Sequence, residues 1–208
     1  MSGTDHEIEQ QLIIGAQNGD LESFNLIVDR YQAMVYRVCL RVLSDPGRAE
    51  DATQDTFIKA HAALSQHHGG SLKSWLMRIA TNRCYDMIRA ERRRPAASLE
   101  AQPVESEPSW SVEPATEHPD AYASRSQLSA YLERALGQLN ADQRTAVVLF
   151  DIHGYSYEEI AGITETSLGA VKSRISRGRS RLREILRADD HARELFDSAW
   201  RQSDERRS

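Results

Sequence analysis

The chain has 208 residues, of which 40% are hydrophobic, and this length and composition suit one or two globular domains with ordinary cores. The sequence shows neither an apolar N-terminal segment nor an uninterrupted apolar run near the roughly 18 residues that cross a bilayer. We therefore expect a cytoplasmic protein. The net charge is -5, from 26 Lys and Arg against 31 Asp and Glu, and these charges lie in blocks of opposite sign.

The two cysteines and the central histidines do not predict a metal site. Cys39 and Cys84 lie far apart inside helical patterns and lack the CxxC or Cys/His spacing of metal ligands, so we expect free thiols in a reducing compartment. His61, His67 and His68 cluster loosely, and we expect these side chains to be exposed to solvent. The sequence thus predicts neither a bound metal nor a cofactor.

The first half of the chain carries the period of amphipathic helices. Asp20 is a plausible N-cap for a long helix that "SDPGR" at 44–48 ends. In the next segment, "AEDATQDTFIKAHAAL", the residues Asp51, Asp55 and Ile58 share a face opposite a row of small residues. Two carboxylates beside an exposed aliphatic side chain suit a docking face, and a merely solvated helix face fits the same spacing.

A basic helix follows the loop "SQHHGGS". Residues 71–94 hold seven Lys or Arg against two acids, and "LKSWLMRIATNRCYDMIRAERRR" combines an apolar stripe with Arg78, Asn82 and Arg83 on its other faces. A single nucleic-acid strand offers its phosphates to cationic side chains and its exposed bases to flat or amide side chains. This helix carries both kinds of side chain. Trp75 at the start of this helix fits either a stacking platform or, more commonly, a core position.

The middle of the chain has a different composition. Residues 95–124 hold six Asp or Glu, no Lys or Arg, and five of the six prolines of the chain. Such a segment buries little apolar surface and resists helix formation. The sequence therefore predicts a disordered acidic linker between two periodic halves, each of which contains a basic segment.

The second half predicts a helix-turn-helix. Asn140 and Gln143 resemble a capping box for a helix that Gly154 ends, and Ser156 with Glu159 forms a second capping box before a short helix. A long helix begins near Ser167 and is predicted to bury five apolar residues: Leu168, Val171, Ile175, Leu182 and Leu186. Short helix, tight turn and long helix are the arrangement that inserts its second helix into a major groove.

The long helix concentrates positive charge. Residues 168–183 hold six Lys or Arg and no acid, although the whole chain is acidic. Helical cations are often only solvated, but six of them after a capped turn favour contact with duplex DNA.

Three motifs in this order resemble the extracytoplasmic-function group of bacterial RNA polymerase sigma factors. "AEDATQDTFIKAHAAL" is similar to region 2.2 of that family, "SWLMRIATNRCYDMIRAERRR" to regions 2.3 and 2.4, and "GYSYEEIAGITETSLGAVKSRISRGRSRLRE" to region 4.2. The last match is the most specific, since "SYEEIA" followed by "GAVKSRI" is close to the typical family sequence. The resemblance extends over nearly the whole chain.

The resemblance implies a role for each motif. It assigns binding of the core polymerase to Asp51, Gln54, Asp55 and Phe57. It assigns capture of the non-template strand of the −10 element to the 67–71 loop and the helix behind it, through His67, Ser71, Trp75, Arg78, Asn82 and Arg83. It assigns base readout of the −35 element to Lys172, Ser173, Ser176 and Arg177. It assigns phosphate contacts beside these readers to Arg174 and Arg179.

The sequence therefore predicts an all-α protein of two small helical domains, 1–94 and 125–187, joined by the 95–124 linker and followed by a polar tail at 188–208. The implied function is promoter recognition and melting without catalysis, since no P-loop, HExxH or nucleophile elbow is present. The implied partners are core RNA polymerase through its β′ clamp helices and its β subunit, promoter DNA, and an anti-sigma factor. The alternative is a helix-turn-helix regulator whose first half is a dimerisation or sensory module.

Overall fold

The computed structural model describes residues 3–93 and 129–188, and all regular secondary structure in these two ranges is helical. We call residues 3–93 the N-terminal part and residues 129–188 the C-terminal part. The two helical parts agree with the predicted all-α architecture. The acidic segment 95–124 and residues 189–208 of the predicted tail lie outside the described residues.

The N-terminal part contains four α-helices and one short 3-10 turn. They are α1 (Gly3–Gln17), α2 (Leu21–Leu43), α3 (Pro46–Ala63), the 3-10 turn (Leu64–Gln66) and α4 (Leu72–Arg93). Asp20 caps α2 as predicted, because its carboxylate accepts hydrogen bonds from the backbone N–H groups of Glu22 and Ser23. The predicted break is short: Asp45 accepts from the N–H of Arg48 at 2.8 Å, and α3 starts directly after this cap.

Helix α1 was not predicted from the sequence, and two polar contacts attach it to the rest of the part. The buried carboxylate of Glu9 accepts a hydrogen bond from the Tyr31 hydroxyl on α2. The Gln17 side-chain amide donates to the backbone carbonyls of Leu64 and His67 at 3.0 and 2.9 Å. These bonds fix α1 against α2 and hold the start of the loop that precedes α4.

The core of the N-terminal part lies where α2 packs against α3 and α4. Val35, Val38 and Leu76 are fully buried there and supply much of its hydrophobic contact. Cys39 and Cys84 are also buried, and both are free thiols, as predicted. A hydrogen bond with Cys39, together with burial, raises the pKa of the Cys84 thiol, which keeps it protonated and unreactive.

The C-terminal part contains four helices and a π-helical turn. They are α5 (129–137), α6 (Ala141–Val147), the π-helical turn (Val148–Ile152), α7 (Tyr157–Thr164) and α8 (Leu168–Arg187). The predicted capping box is present, since Ser156 and Glu159 bond reciprocally to each other's backbone N–H groups. Asn140 caps α6 by accepting from the N–H of Gln143 at 2.9 Å. Local sequence thus places the ends of these short helices correctly.

The crossing of α6 and α8 in the C-terminal part depends on a glycine. An added Cβ at Gly178 of α8 would lie 2.7 Å from Cγ2 of Val147 and 3.3 Å from the carbonyl oxygen of Gln143, both on α6. Val171 and Ile175 of α8 are buried as predicted. Leu168 is not: it lies in the first turn of α8, before the packed stretch, and 41% of its surface is exposed.

The two parts also pack against each other, which the sequence did not predict. Helix α4 contacts α7, and α2 contacts α6 and the π-helical turn. One continuous hydrophobic cluster joins the two sides, with Leu149, Tyr155 and Ile163 of the C-terminal part packed in the same cluster as the core of the N-terminal part. The pair therefore behaves as one folded body in this arrangement.

Residues 3–93 and 129–188 lack two kinds of feature. None of the helices in residues 3–93 and 129–188 has the length and apolarity of a membrane span. In the same residues no group of three or more His, Cys, Asp or Glu side chains is placed to hold a metal ion.

Candidate polymerase and nucleic-acid interfaces

The outer face of α3 combines acidic side chains with an exposed aliphatic one. Asp51 and Gln54 are exposed, and 67% of the Ile58 surface is open to solvent. Asp55 is partly buried because its carboxylate accepts from Nε of Arg83 at 2.6 Å. A single exposed Ile is ordinary on a protein surface, so this face is compatible with docking on a basic partner and with plain solvation.

Phe57 does not share this surface. Only 7% of its side chain is exposed, and it packs in the core between α3 and its neighbours. A large aromatic ring contributes most to stability when it is removed from water, and the helical period turns residue 57 inward. The predicted contact of Phe57 with polymerase is therefore not available in this structure, and its position is explained by core packing.

The loop before α4 is shaped by glycines and by a cap. Gly69 and Gly70 adopt φ values of 99° and 87°, which side chains rarely tolerate. The hydroxyl of Ser71 accepts a hydrogen bond from the N–H of Ser74 at 3.2 Å and so caps the first turn of α4. Ser71 is exposed and stands at the point where the loop meets the helix.

His67 is buried, contrary to the expectation of a solvent-exposed histidine. It is 6% exposed, and its ring lies 5.1 Å from the ring of Trp75. Burial lowers the pKa of His67, which favours the neutral imidazole. The predicted contact of His67 with the −10 element is therefore covered in this conformation, and the ring instead supports Trp75.

The sequence allowed Trp75 to be either a stacking platform or a core residue, and the structure gives it a partly buried position. It is partly buried, and it packs on the hydrophobic cluster of the N-terminal part. One side of the ring therefore serves the core, while the remainder is accessible beside the 67–71 loop.

The polar face of α4 carries the other predicted −10 residues. Arg78 is exposed and its guanidinium forms an ion pair with Glu165 of the C-terminal part. Asn82 lies one turn further along the helix and is partly buried. Arg83 turns to the other side and pairs with Asp55, so a predicted −10 residue and a predicted polymerase contact hold each other.

The helix-turn-helix consists of α7, a tight turn and α8. Glu165 ends α7 in the left-handed conformation, with φ of 52°, and Ser167 caps α8 by accepting from the N–H of Ala170 at 3.2 Å. The side chains of Lys172, Ser176 and Arg177 are exposed on α8, and Ser173 is partly buried beside them. These four side chains form one patch because they lie one, three, four or five residues apart.

Two arginines next to this patch are held by acidic residues of the same part. Arg174 pairs with Asp142 at 3.0 Å. Arg179 donates through Nε to Asp151 at 3.0 Å, and its guanidinium lies 5.0 Å from the centre of the Phe150 ring. The hydrogen bond to Asp151 raises the pKa of Arg179 further. Both arginines thus have a structural role beside the phosphate contact predicted for them.

A basic cleft lies where α4 approaches the C-terminal part. Its volume is about 440 Å³, and Arg89, Arg92 and Arg174 line it together with Tyr85. Asp142 also lines the cleft and pairs with Arg174, and Arg89 pairs with Asp86, so two of the three guanidinium groups are held by carboxylates. The cleft joins the basic end of α4 to the basic face of α8.

Sequence reasoning missed three residues that organise these surfaces. Glu165 meets Arg78, Gly178 permits the α6–α8 crossing, and Arg144 bonds to carbonyls of both parts. A glycine inside an amphipathic helix is itself a signal of close packing, so Gly178 could have been found. The partner of Glu165 and the partners of Arg144 in the N-terminal part lie about ninety to one hundred positions away and leave no local signal.

A helix-turn-helix with an exposed cationic recognition helix, packed beside a second helical part whose helix α4 is basic, defines a two-part DNA-binding protein. The family models "Sigma-70 region 2" and "Sigma-70, region 4" match residues 27–94 and 129–182. The chain belongs to the extracytoplasmic-function (ECF) sigma factors of the sigma-70 family, as its motifs predicted, and directs RNA polymerase to promoters. It is a specificity subunit and not an enzyme.

Curated relatives match most of the chain. ECF sigma factor SigE of Mycolicibacterium smegmatis is 37% identical over 179 residues, which are 86% of this chain and 66% of that protein, slightly under two thirds of its length. The sigma-H factor of Pseudomonas aeruginosa is 35% identical over 182 residues, 86% of this chain and 94% of that protein. The sigma-E factor of Escherichia coli K12 is 36% identical over 173 residues, 82% and 90% of the two chains.

Two solved structures share the fold. CnrH in complex with the cytosolic domain of CnrY is 26% identical with a TM-score of 0.63, and the match covers 88% of this chain and 99% of that one. The sigma factor RpoE in complex with the anti-sigma factor NepR from Bartonella quintana is 32% identical with a TM-score of 0.61, over 81% and 99%. Both matches extend over the N-terminal and the C-terminal part.

Proposed function

We propose that three separate surfaces divide the work of promoter recognition. The acidic face of α3 docks on the core polymerase, the 67–71 loop and α4 capture the melted −10 strand, and α8 reads the −35 element as duplex. The chain acts in the cytoplasm, where polymerase and promoters are.

The observation that carries this proposal is the opposite character of α3 and α8. The exposed face of α3 presents Asp51 beside Ile58, whereas that of α8 presents Lys172 and Arg177. A polyanion is repelled by the first face and attracted by the second. The first face is therefore suited to a basic protein surface, such as the β′ clamp helices, and the second to DNA.

The region around α4 is suited to a single strand. Trp75 offers part of an aromatic ring at the loop, and Arg78 with Asn82 follows it along one side of the helix. Stacking on the ring and cationic contact with phosphates are the two interactions that hold unpaired bases. Holding these bases stabilises the melted state, which is how a protein without catalytic groups promotes opening.

Protein partners follow from the solved neighbours. CnrH was solved with the cytosolic domain of CnrY, and the RpoE structure contains the anti-sigma factor NepR. We assign an anti-sigma factor to this chain as well, and a second polymerase contact with the β subunit. The continuous cluster that joins the two parts provides an apolar surface for such a partner whenever the parts separate.

Reversal of one exposed charge on α3 tests the docking surface. Asp51→Lys should weaken binding to core polymerase about tenfold or more, because an attractive charge pair becomes a repulsive one. Asp29→Lys is the matched control: it makes the same change in charge at an exposed position of α2. Fluorescence anisotropy with labelled chain measures the affinity, and circular dichroism checks the fold. Equal affinities of the two variants would rule out α3 as the docking helix.

A further inference from the structure

Two aromatic rings stack beside the recognition helix, and a cation lies near each of them. The rings of Phe150, in the π-helical turn, and Tyr157, in the first turn of α7, have their centres 4.7 Å apart and are inclined by only 13°. The Lys172 ammonium of α8 lies 5.8 Å from the centre of the Tyr157 ring, and the Arg179 guanidinium lies 5.0 Å from that of Phe150. Cations at these distances are attracted by the ring quadrupole. The four side chains therefore form a connected series of contacts across the π-helical turn, α7 and α8.

The position of the Tyr157 ring is fixed by its surroundings. Tyr157 and Phe150 are both partly buried, and both pack against the hydrophobic cluster. Tyr157 also follows directly after Ser156, which forms the capping box with Glu159, so the backbone that carries the ring is held as well. A ring that is fixed in this way can hold a cation in a defined place.

The Lys172 ammonium has a different kind of neighbour from the arginines of α8. Arg174 and Arg179 each form an ion pair with an aspartate of the C-terminal part. Among the residues that the structure describes, no carboxylate forms an ion pair with Lys172, and its ammonium contacts the Tyr157 ring instead. A lysine side chain loses considerable rotamer entropy when it binds in one conformation. A contact that restricts the side chain beforehand lowers this cost.

We propose that Tyr157 is a positioning residue for readout of the −35 element, and that its ring holds the Lys172 ammonium on the reading face of α8 before DNA binds. The proposal rests on the proposed function of Lys172 as a base reader. A lysine in the major groove donates to N7 and O6 of guanine, so its placement decides which base pair it prefers. Tyr157 acts through Lys172 in this role. The base preference at one promoter position thus depends on an aromatic residue outside the recognition helix.

Binding of the holoenzyme to promoter fragments tests this role. The holoenzyme is assembled from the full chain and core polymerase, and competition against a labelled fragment compares the cognate −35 element with elements that carry one changed base pair each. Lys172→Ala identifies the position that Lys172 reads, as the base pair at which this variant loses its preference. The preference is a ratio of affinities, so an unfolded fraction of a variant cancels. A purely structural role therefore leaves the preference unchanged.

Two substitutions of Tyr157 separate the ring from the hydroxyl. Tyr157→Leu keeps an apolar side chain but removes the ring, and it should lower the preference at the position read by Lys172 about twofold to fivefold, the scale of an exposed cation–π contact. The preferences at the other positions should stay unchanged. Tyr157→Phe keeps the ring and should keep the preference. An unchanged preference in Tyr157→Leu, or an equal loss in both variants, would overturn the proposal.

Combined substitutions show whether Tyr157 acts through Lys172. In the Lys172→Ala background, Tyr157→Leu should cause no further loss of preference at this position. In the Arg177→Ala background its full effect should remain, because Arg177 lies five residues further along α8. The same further loss in both backgrounds would show that Tyr157 acts independently of Lys172 and would refute the positioning role.

The proposed function of Lys172 and the positioning role of Tyr157 fail in different ways. If Lys172→Ala weakens binding to all fragments by the same factor, Lys172 does not read a base, and the positioning role is lost together with that assignment. If Lys172→Ala loses the preference at one position while Tyr157→Leu keeps it, base reading by Lys172 stands and only the role of Tyr157 is wrong.

Discussion

The N-terminal and C-terminal parts are stabilised in different ways. The N-terminal part relies on long helices, α2 and α4, which share a broad apolar core. The C-terminal part relies on short helices whose ends are individually capped and on a close crossing at Gly178. A long helix gains most of its stability from packing, whereas a short one depends more strongly on its ends.

The two parts also differ in how far the residues assigned to function are engaged in contacts of the fold. In the N-terminal part, residues assigned to function are engaged in structure: Arg83 holds Asp55, and Trp75 rests on the core. In the C-terminal part, the acids Asp142 and Asp151 hold neighbouring arginines, and the reading face of α8 stays exposed. The proposed duplex-reading face is thus exposed in the packed chain, whereas the proposed strand-capturing residues are partly engaged by other side chains.

Substitution of Gly178 should have the largest effect, and it should act on the C-terminal part. Gly178→Val places methyl groups against Val147 and the Gln143 carbonyl, and overpacking of this kind costs about 1–3 kcal/mol. Thermal unfolding followed by circular dichroism should show a midpoint lower by several degrees. Gly169→Val is the matched control, since a Cβ at Gly169 meets nothing within 4 Å. Equal midpoints for both variants would contradict the close crossing of α6 and α8.

Replacement of Arg177 and replacement of Arg179, both on α8, should change DNA binding in different ways. Arg177 is exposed on the reading face, and an Arg bidentate to guanine contributes about 1–3 kcal/mol of discrimination. Arg177→Ala should therefore weaken binding to the cognate −35 element and narrow its advantage over a scrambled one. Arg179→Ala should weaken both about equally and reduce the salt slope by about one, because phosphates carry no sequence information.

Titration with duplexes at several salt concentrations measures both effects. Arg179 also holds Asp151, so its variant needs a check of the folded fraction by circular dichroism. If Arg177→Ala weakens binding to the cognate and the scrambled duplex by the same factor, Arg177 contacts phosphate and does not read bases.

Local patterns predicted most of the fold. The caps at Asp20, Asn140 and Ser156 lie where the sequence placed them, because capping is decided within four residues. The exposure of Asp51 and Ile58 also followed from helical spacing. Features that depend on a few neighbouring residues can be predicted from them.

Features that depend on tertiary contact could not be predicted. His67 was expected to be exposed beside two glycines, but its ring lies 5.1 Å from the ring of Trp75, and its backbone carbonyl accepts from Gln17 of α1. No local pattern reveals these contacts. Phe57 matched a family motif, yet burial decides its role. The contact of Arg78 with Glu165 joins positions 87 residues apart, and only the folded chain brings them together.

The smallest predicted effect concerns pH and the contact between the two parts. His153 ends the π-helical turn and is partly buried, and its Nε2 has no hydrogen-bond partner. Burial is the main reason that its pKa falls from 6.5 to about 4, and the nearby cations Arg41, Lys73 and Arg37 lower it further.

The direction of the pH effect on the contact depends on whether His153 takes up a proton more readily in the packed or in the separated chain. Separation takes His153 away from the N-terminal part and its cations, so its pKa should rise towards the ordinary 6.5, whereas in the packed chain the pKa is about 4. The contact is therefore fully stable above pH 6.5 and loses stability as the pH falls from there towards 4. Energy transfer between dyes on Ser65→Cys and Arg187→Cys, both at exposed positions, should report a growing distance over this range. His153→Gln should remove the change and His68→Gln, in the exposed loop, should keep it; an unchanged response in His153→Gln would assign the effect to another group.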